Sequence, residues 1–198
     1  ISNEDANLVF LGSGNGLLYR SENGGTTWTT CGSVAFQNSS RWYRTLMMTD
    51  LGLFAATNNG LWFSDDLGNS MQLIASGEFM ELEKHPIDVN IIYTVKLQGG
   101  ATRFMKSIDG GMSFDYTGNG WPIISSGYEQ KRTEIAVTAA SPDAIFALAA
   151  GETPEGGGLY GYYVSYDAGE TFEMACCGDE PGGPWIAQTN PNILGWGE

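Results

Sequence analysis

One eight-residue pattern occurs four times in this chain and constrains it more than any other feature. The copies are Ser21-Glu-Asn-Gly-Gly-Thr-Thr-Trp28, Ser64-Asp-Asp-Leu-Gly-Asn-Ser-Met71, Ser107-Ile-Asp-Gly-Gly-Met-Ser-Phe114 and Ser165-Tyr-Asp-Ala-Gly-Glu-Thr-Phe172. They share Ser-x-Asp/Asn-x-Gly-x-Ser/Thr followed by a large apolar residue. Their starts are 43, 43 and 58 residues apart. A recurrence near forty residues marks a repeat architecture, in which one unit cannot bury its apolar face alone and must stack on its neighbours.

Aligned on this pattern, each unit reads as four short strands. In the second unit, residues 41–49 alternate in character, Asp50-Leu-Gly is a turn, and 53–57 and 61–64 are strands. Asn58-Asn-Gly60 joins these two as a hairpin, a turn whose central positions call for positive φ. The repeated pattern follows as a turn, and 71–75 is the fourth strand. The third unit reads 79–84, 91–97, 102–107 and 113–116. The fourth reads 133–139, 144–149, 159–165 and 171–175, with a long turn over 152–158. Twenty-eight glycines, about twice the usual share of roughly 7%, suit so many tight turns.

Four antiparallel strands per repeat at this period predict an all-β fold, a β-propeller of four-stranded antiparallel blades. Residues 1–7 before Leu8-Val-Phe-Leu-Gly12 match a turn between first and second strands. Residues 185–196 match the same place in the unit. The expected layout over 1–198 is therefore three complete blades, 41–76, 79–117 and 132–177, with partial blades at 1–33 and 185–198. That is the layout of a fragment of a larger repeat protein.

The bulk chemistry narrows the partners. Nine Lys and Arg stand against 23 Asp and Glu, a net charge of −14. Such a surface repels phosphate backbones and anionic lipid, so nucleic acid is not an expected partner. No apolar run is long enough to predict membrane insertion. Cys31, Cys176 and Cys177 form neither a zinc pattern nor an even disulfide framework. The adjacent pair at 176–177 reads as two thiols, a strained vicinal disulfide being the alternative.

The four copies resemble the Asp-box, or BNR repeat, of sialidases, xyloglucanase-type endoglucanases, sortilin-type receptors and photosystem assembly propellers. The resemblance covers nearly the whole chain and implies that each box joins the third and fourth strands of a blade. It assigns structural roles to Ser21, Asn23, Gly25 and Trp28, to Ser64, Asp66 and Gly68, to Ser107, Asp109, Gly111 and Phe114, and to Ser165, Asp167, Gly169 and Phe172. The physical reasons are local. Asp66, Asp109 and Asp167 accept N–H bonds within their own turn, the glycines supply positive φ, and Ser70, Ser113 and Thr171 bond back across it. Trp28, Met71, Phe114 and Phe172 are expected to fill the gaps between blades. Asn23 keeps an acceptor but drops the charge, and Met71 replaces the aromatic with a softer plug.

Strand order then sorts the loops onto two faces. First-to-second-strand turns and boxes share one face; second-to-third-strand turns and blade-to-blade connections share the other. The second face carries the long loops 31–40, 117–131, 151–158 and 178–184, and long loops on a rigid scaffold are where binding concentrates. Aromatic rings beside ionisable groups there suit a sugar, whose C–H face stacks on a ring. The candidate ligand-binding residues are Arg41, Trp121, Tyr128, Arg132, Glu134 and Trp185. The bland alternative for each is a loop anchor or a solvated charge. His85 reads as a turn residue before Pro86, which leaves no His-based triad or zinc site.

Sialidase-type chemistry is not expected: the chain lacks Phe-Arg-Ile-Pro and has only five arginines in all. The xyloglucanase-like group is closest in texture, as in Ile186-Ala-Gln-Thr-Asn-Pro-Asn-Ile193, although its catalytic aspartates map onto no position here, so the catalytic residues are unknown. No cofactor is expected. Structural calcium at the acidic pairs Asp65-Asp66 or Asp179-Glu180 remains open, although neither has the alternating spacing of a calcium loop. The resemblance implies a secreted or cell-surface bacterial protein, extracellular or periplasmic, that recognises or hydrolyses carbohydrate. The alternative is a non-enzymatic scaffold, adhesin or receptor segment whose partner is another surface protein.

Overall fold

The computed structural model describes residues 5–32, 36, 38, 40–122, 129–153 and 156–176, with backbone alone at 152, 153, 156–158 and 176. The chain divides into two compact units, Ile1–Leu82 and Glu83–Glu198. The described residues are all-β: antiparallel sheets in which sequence neighbours are spatial neighbours.

The first unit holds a three-stranded sheet, β1 (Val9–Gly12), β2 (Leu18–Ser21) and β3 (Thr29–Thr30), in that order. It also holds a four-stranded sheet, β4 (Tyr43–Thr49), β5 (Gly52–Thr57), β6 (Gly60–Ser64) and β7 (Gln72–Ala75), again in chain order. Phe10, Leu18, Cys31, Phe36 and Leu53 form its core, with Tyr43, Leu46, Met48, Trp62 and Met71 packed against them. Met71 thus plugs as expected. Cys31 is a free thiol within this core, and burial pushes its pKa up.

The division falls inside β8 (Glu78–Lys84), which leads a sheet completed by β9 (Ile92–Gln98), β10 (Ala101–Ser107) and β11 (Asp115–Tyr116). The last sheet is β12 (Glu129–Thr138), β13 (Ser141–Thr153), β14 (Gly156–Ser165) and β15 (Glu173–Cys176). Core alternation is plain on β10: Thr102 and Phe104 are buried while Arg103 between them points out. Phe104 gathers Tyr93, Trp121 and Phe172 around it, with ring centroids 5.7, 5.3 and 4.9 Å away.

Each box forms the same knot. In the third, the Ser107 hydroxyl donates to Asp109 Oδ1 at 2.7 Å and accepts from Gly111 N–H at 2.8 Å. Ser113 donates its N–H to Oδ1 at 2.9 Å and its hydroxyl to Oδ2 at 2.6 Å. The second and fourth boxes repeat these bonds within about 0.1 Å through Asp66 and Asp167. In the first, Asn23 Oδ1 still accepts from Ser21 and Thr27, but Nδ2 now donates to the Thr27 hydroxyl at 2.8 Å, which reverses one bond.

The carboxylates respond to their donors. The Thr171 hydroxyl and amide hold Asp167 down at about 2. At Asp109 burial pushes upward, and the bonds from Ser113, Ser107 and Met112 outweigh it, again leaving about 2.

Five features depart from the sequence reading. Positive φ extends over two residues of each box, so Leu67 (φ 59°) and Ala168 (φ 56°) occupy the left-handed region beside Gly68 and Gly169. Such residues need a strong local reason, and the bonds donated by the Gly68 and Gly169 amides to the Ser64 and Ser165 hydroxyls supply it. The β5–β6 hairpin turns at Asn58-Asn59 with Thr57 paired to Gly60, and none of the three has positive φ. Gly60 is crowded instead: a Cβ would stand 2.8 Å from Trp62 Nε1 and 3.3 Å from Ala75 O, besides the movable end of Leu73. The long turn expected over 152–158 is largely ladder, paired to Thr153–Gly156, since cross-strand bonds satisfy the glycine-rich backbone better than an open loop. Residues 129–131, assigned to a loop, begin β12 by the same logic, with Gln130 N–H bonded to Gly100 O at 2.8 Å. Trp28 is 40% exposed and fills no gap: its indole N–H donates to Gly25 O at 2.9 Å, folding the ring over its own box.

Candidate functional site

Turns and boxes are joined within each unit. Gly24 N–H donates to Asn7 O, Gly110 N–H to Asn90 O and Ala168 N–H to Asp143 O, all at 2.9–3.0 Å. First-to-second-strand turns and boxes therefore share a face, as strand order requires. His85 belongs there. Its Nδ1 accepts the N–H groups of Ile87 and Asp88, and its Nε2 lies 3.5 Å from Asp143 Oδ1. The box carboxylates are occupied by their own turns. Among the described residues no three His, Cys, Asp or Glu side chains are grouped to hold a metal ion.

The boxes also grip the preceding sheet. Arg20, one residue before the first box, donates to Leu67 O in the second at 2.8 Å. Lys106, one before the third, donates to Glu170 in the fourth at 2.8 Å. The segment leaving β11, expected on the opposite face, first docks here. Asn119 N–H donates to Glu170 O at 2.9 Å and Asn119 O accepts from Phe172 N–H at 2.7 Å.

The residues singled out from sequence lie as follows. Arg41 is only 2% exposed, with its guanidinium 4.1 and 4.6 Å from the Phe36 and Trp62 ring centres. It donates to Phe36 O and to Asn59 Oδ1, the latter at 3.0 Å, and burial pulls its pKa down. Trp121 is 7% exposed, packs edge-on against Phe172 and donates to Thr102 O at 3.2 Å. Thr102 in turn bonds Gln130 and Thr133 of β12, a buried polar seam between two sheets. Arg132 and Glu134, alternate residues of β12, form an ion pair. Glu83 has its pKa raised, first by burial and then by Glu134. Tyr128, Trp185, Asp179, Glu180 and Cys177 lie outside the described residues, as does the partial blade expected at 185–198.

Two open clefts supply what this set lacks. One, of about 510 Å³ in the first unit, is lined by Ser40, Trp42, Arg44, Asn58 and Glu78. Trp42 is 59% exposed, yet its backbone is fixed. Its N–H donates to Asn58 Oδ1 at 2.8 Å, its carbonyl accepts from Asn58 N–H at 3.1 Å, and Asn58 Nδ2 donates to Ser40 O at 3.0 Å. Beside it Arg44 Nη2 and Glu78 Oε1 pair at 2.6 Å, both partly exposed. The sequence reading missed Trp42 because it lies at the head of an alternating strand. Nothing in the sequence marks it, because the burial of Arg41 and the facing Asn58 turn are products of the fold.

The other cleft, of about 460 Å³, lies wholly in the second unit between the Gln98 hairpin end and residues 116–121. Gln98, Arg103, Tyr116, Asn119 and Trp121 line it, with Phe104 and Gly118 at its floor. Tyr116 is 56% exposed and its hydroxyl donates to Gln98 Oε1 at 3.2 Å.

No family model and no curated protein sequence matches the chain. Solved structures do. An ancestral GH74 enzyme superposes with TM-score 0.72 at 17% identity, covering 91% of this chain and 24% of its own. The GH74 enzyme of Niastella koreensis gives 0.66 at 20% identity, over 89% and 29%. The extracellular domain of BT4673 from B. thetaiotaomicron gives 0.56 at 14%, over 86% and 21%. The chain thus spans under a third of the length of each. All three have folds of β-propeller type, and at these identities the likeness is one of fold.

Proposed function

We propose that this chain is part of a secreted or cell-surface Asp-box β-propeller and that its open clefts bind carbohydrate. The observation that carries this reading is Trp42, an exposed indole on a backbone pinned by two Asn58 bonds, with a third from Asn58 to Ser40 O, beside an Arg44–Glu78 pair. A rigid ring loses little entropy on stacking against a pyranose, and flanking polar groups orient the hydroxyls. The GH74 and extracellular-domain likenesses support the class and the location.

Binding rather than hydrolysis is the role proposed for this segment. Glycoside hydrolysis generally uses two carboxyl groups about 5–10 Å apart. Glu78 is the one carboxylate lining the Trp42 cleft, and it is paired with Arg44. The test is titration of the protein with neutral β-glucan oligosaccharides, read by indole fluorescence. Saturable quenching that Trp42→Ala abolishes at unchanged melting temperature is expected; quenching that survives in Trp42→Ala refutes the assignment.

A scaffold or receptor role is the second reading, and it has its own observation. Ile87, Val89, Ile108 and Met112 are 71, 56, 73 and 43% exposed on the box face of the second unit. Exposed apolar groups in such number suit a protein partner.

A further inference from the structure

The Gln98–Trp121 cleft differs in charge from the rest of the chain. Of 198 residues, 23 are acidic and nine basic, yet the nine residues lining this cleft include one arginine and no carboxylate. Four of the five arginines are engaged: Arg20 with Glu22 and Leu67 O, Arg41 with Phe36 O and Asn59, Arg44 with Glu78, and Arg132 with Glu134. Arg103 alone has no such partner among the described residues, and it is exposed into the cleft.

A guanidinium offers a carboxylate two parallel N–H donors. The other lining groups suit a sugar carrying the carboxylate. The Tyr116 ring is exposed, its hydroxyl occupies Gln98 Oε1, and that bond turns the Gln98 amide N–H₂ toward donation. The exposed side chain of Asn119 adds a further amide, on a backbone fixed to the fourth box by two bonds.

We propose that this cleft binds a uronate residue of an acidic polysaccharide, with Arg103 holding the carboxylate and Tyr116 stacking on the ring. The proposal rests on the carbohydrate-binding reading and assigns a second site with a different ligand class.

The experiment is calorimetric titration of the 198-residue chain with trigalacturonate, its methyl ester, hexaglutamate and a neutral β-glucan oligosaccharide. Trigalacturonate should bind, more weakly as salt rises, and at least about tenfold more tightly than the uncharged ester, the factor expected for one charge-assisted contact. Arg103→Gln should lose that factor at unchanged melting temperature, and Trp42→Ala should leave it intact. Equal binding of acid and ester, or wild-type binding by Arg103→Gln, overturns the proposal. Hexaglutamate binding as tightly as trigalacturonate also overturns it, because the cleft then reads charge without the sugar. Neutral glucan binding through Trp42 with no uptake of trigalacturonate refutes this proposal alone. Trigalacturonate binding through Arg103 with no neutral glucan binding refutes the Trp42 assignment alone.

Discussion

Replacing Asp109 by alanine removes the acceptor of four bonds: from the Ser107 hydroxyl, the Met112 and Ser113 amides and the Ser113 hydroxyl. The turn is at the surface, so water satisfies the freed donors and the full gas-phase strength of these bonds is not lost. A net of about 0.5 kcal/mol per bond gives a loss of about 2 kcal/mol. For a chain of this length that lowers the melting temperature by roughly 4–8 °C. Asp109→Asn should cost under about 1 kcal/mol, because the first box shows the amide solution: one oxygen accepts as before while the nitrogen donates to the facing hydroxyl. Thermal melting followed by circular dichroism, with glycan titration in parallel, measures both. The reasoning is refuted if Asp109→Ala melts with the wild type, if Asn is as damaging as Ala, or if ligand binding disappears at full thermal stability.

Two further outcomes follow from the same knots. Leu67 sits in the left-handed region with its side chain 42% exposed, so Leu67→Gly should relieve about 1 kcal/mol of backbone strain, partly offset by the freer unfolded chain. A small rise in the urea midpoint is expected, and a fall of more than about 1 kcal/mol by linear extrapolation contradicts it. Asp109 and Asp167 titrate near 2 in the folded chain, below the ordinary 3.8, so their stabilisation is complete above the ordinary value. It is lost as pH falls from there through the folded value, where the native carboxylates finally take up protons. Urea midpoints should therefore drop steeply below about pH 4, less so in Asp109→Asn, and a flat profile between about pH 5 and 2 opposes the assignment.

The box was legible because its chemistry is local. Serine, acid, glycine and hydroxyl within seven positions can satisfy one another in few ways, and the bonds from Ser70, Ser113 and Thr171 to Asp66, Asp109 and Asp167 are those expected from the sequence, while those of the leading serine hydroxyls were not specified. Leu67 and Ala168 were not, since nothing in either residue type announces positive φ; the demand comes from the knot around them. Arg41 looked like an exposed cation at a loop end, and only three partners brought in by the fold, Phe36, Trp62 and Asn59, bury it. Trp121 reads the same way, its environment being set by Phe104 and Phe172 on other elements. Trp42 and Arg103 were passed over for the opposite reason. Both lie in strand-like alternation, where one position in two faces solvent, and sequence does not reveal which outward positions border a hollow.

The last strands of these sheets are short: two residues in β3 and β11, four in β7 and β15. Each ends its sheet, so each presents unsatisfied backbone groups to the surroundings. A rim only a few residues long offers an incoming strand one or two ladder bonds, too few to hold a foreign chain against its loss of freedom. The box dictates this brevity by spending the first half of the return path on its turn. A motif that reads as a fastening thus also shortens one edge of each sheet, limiting what that edge can offer to a neighbouring strand.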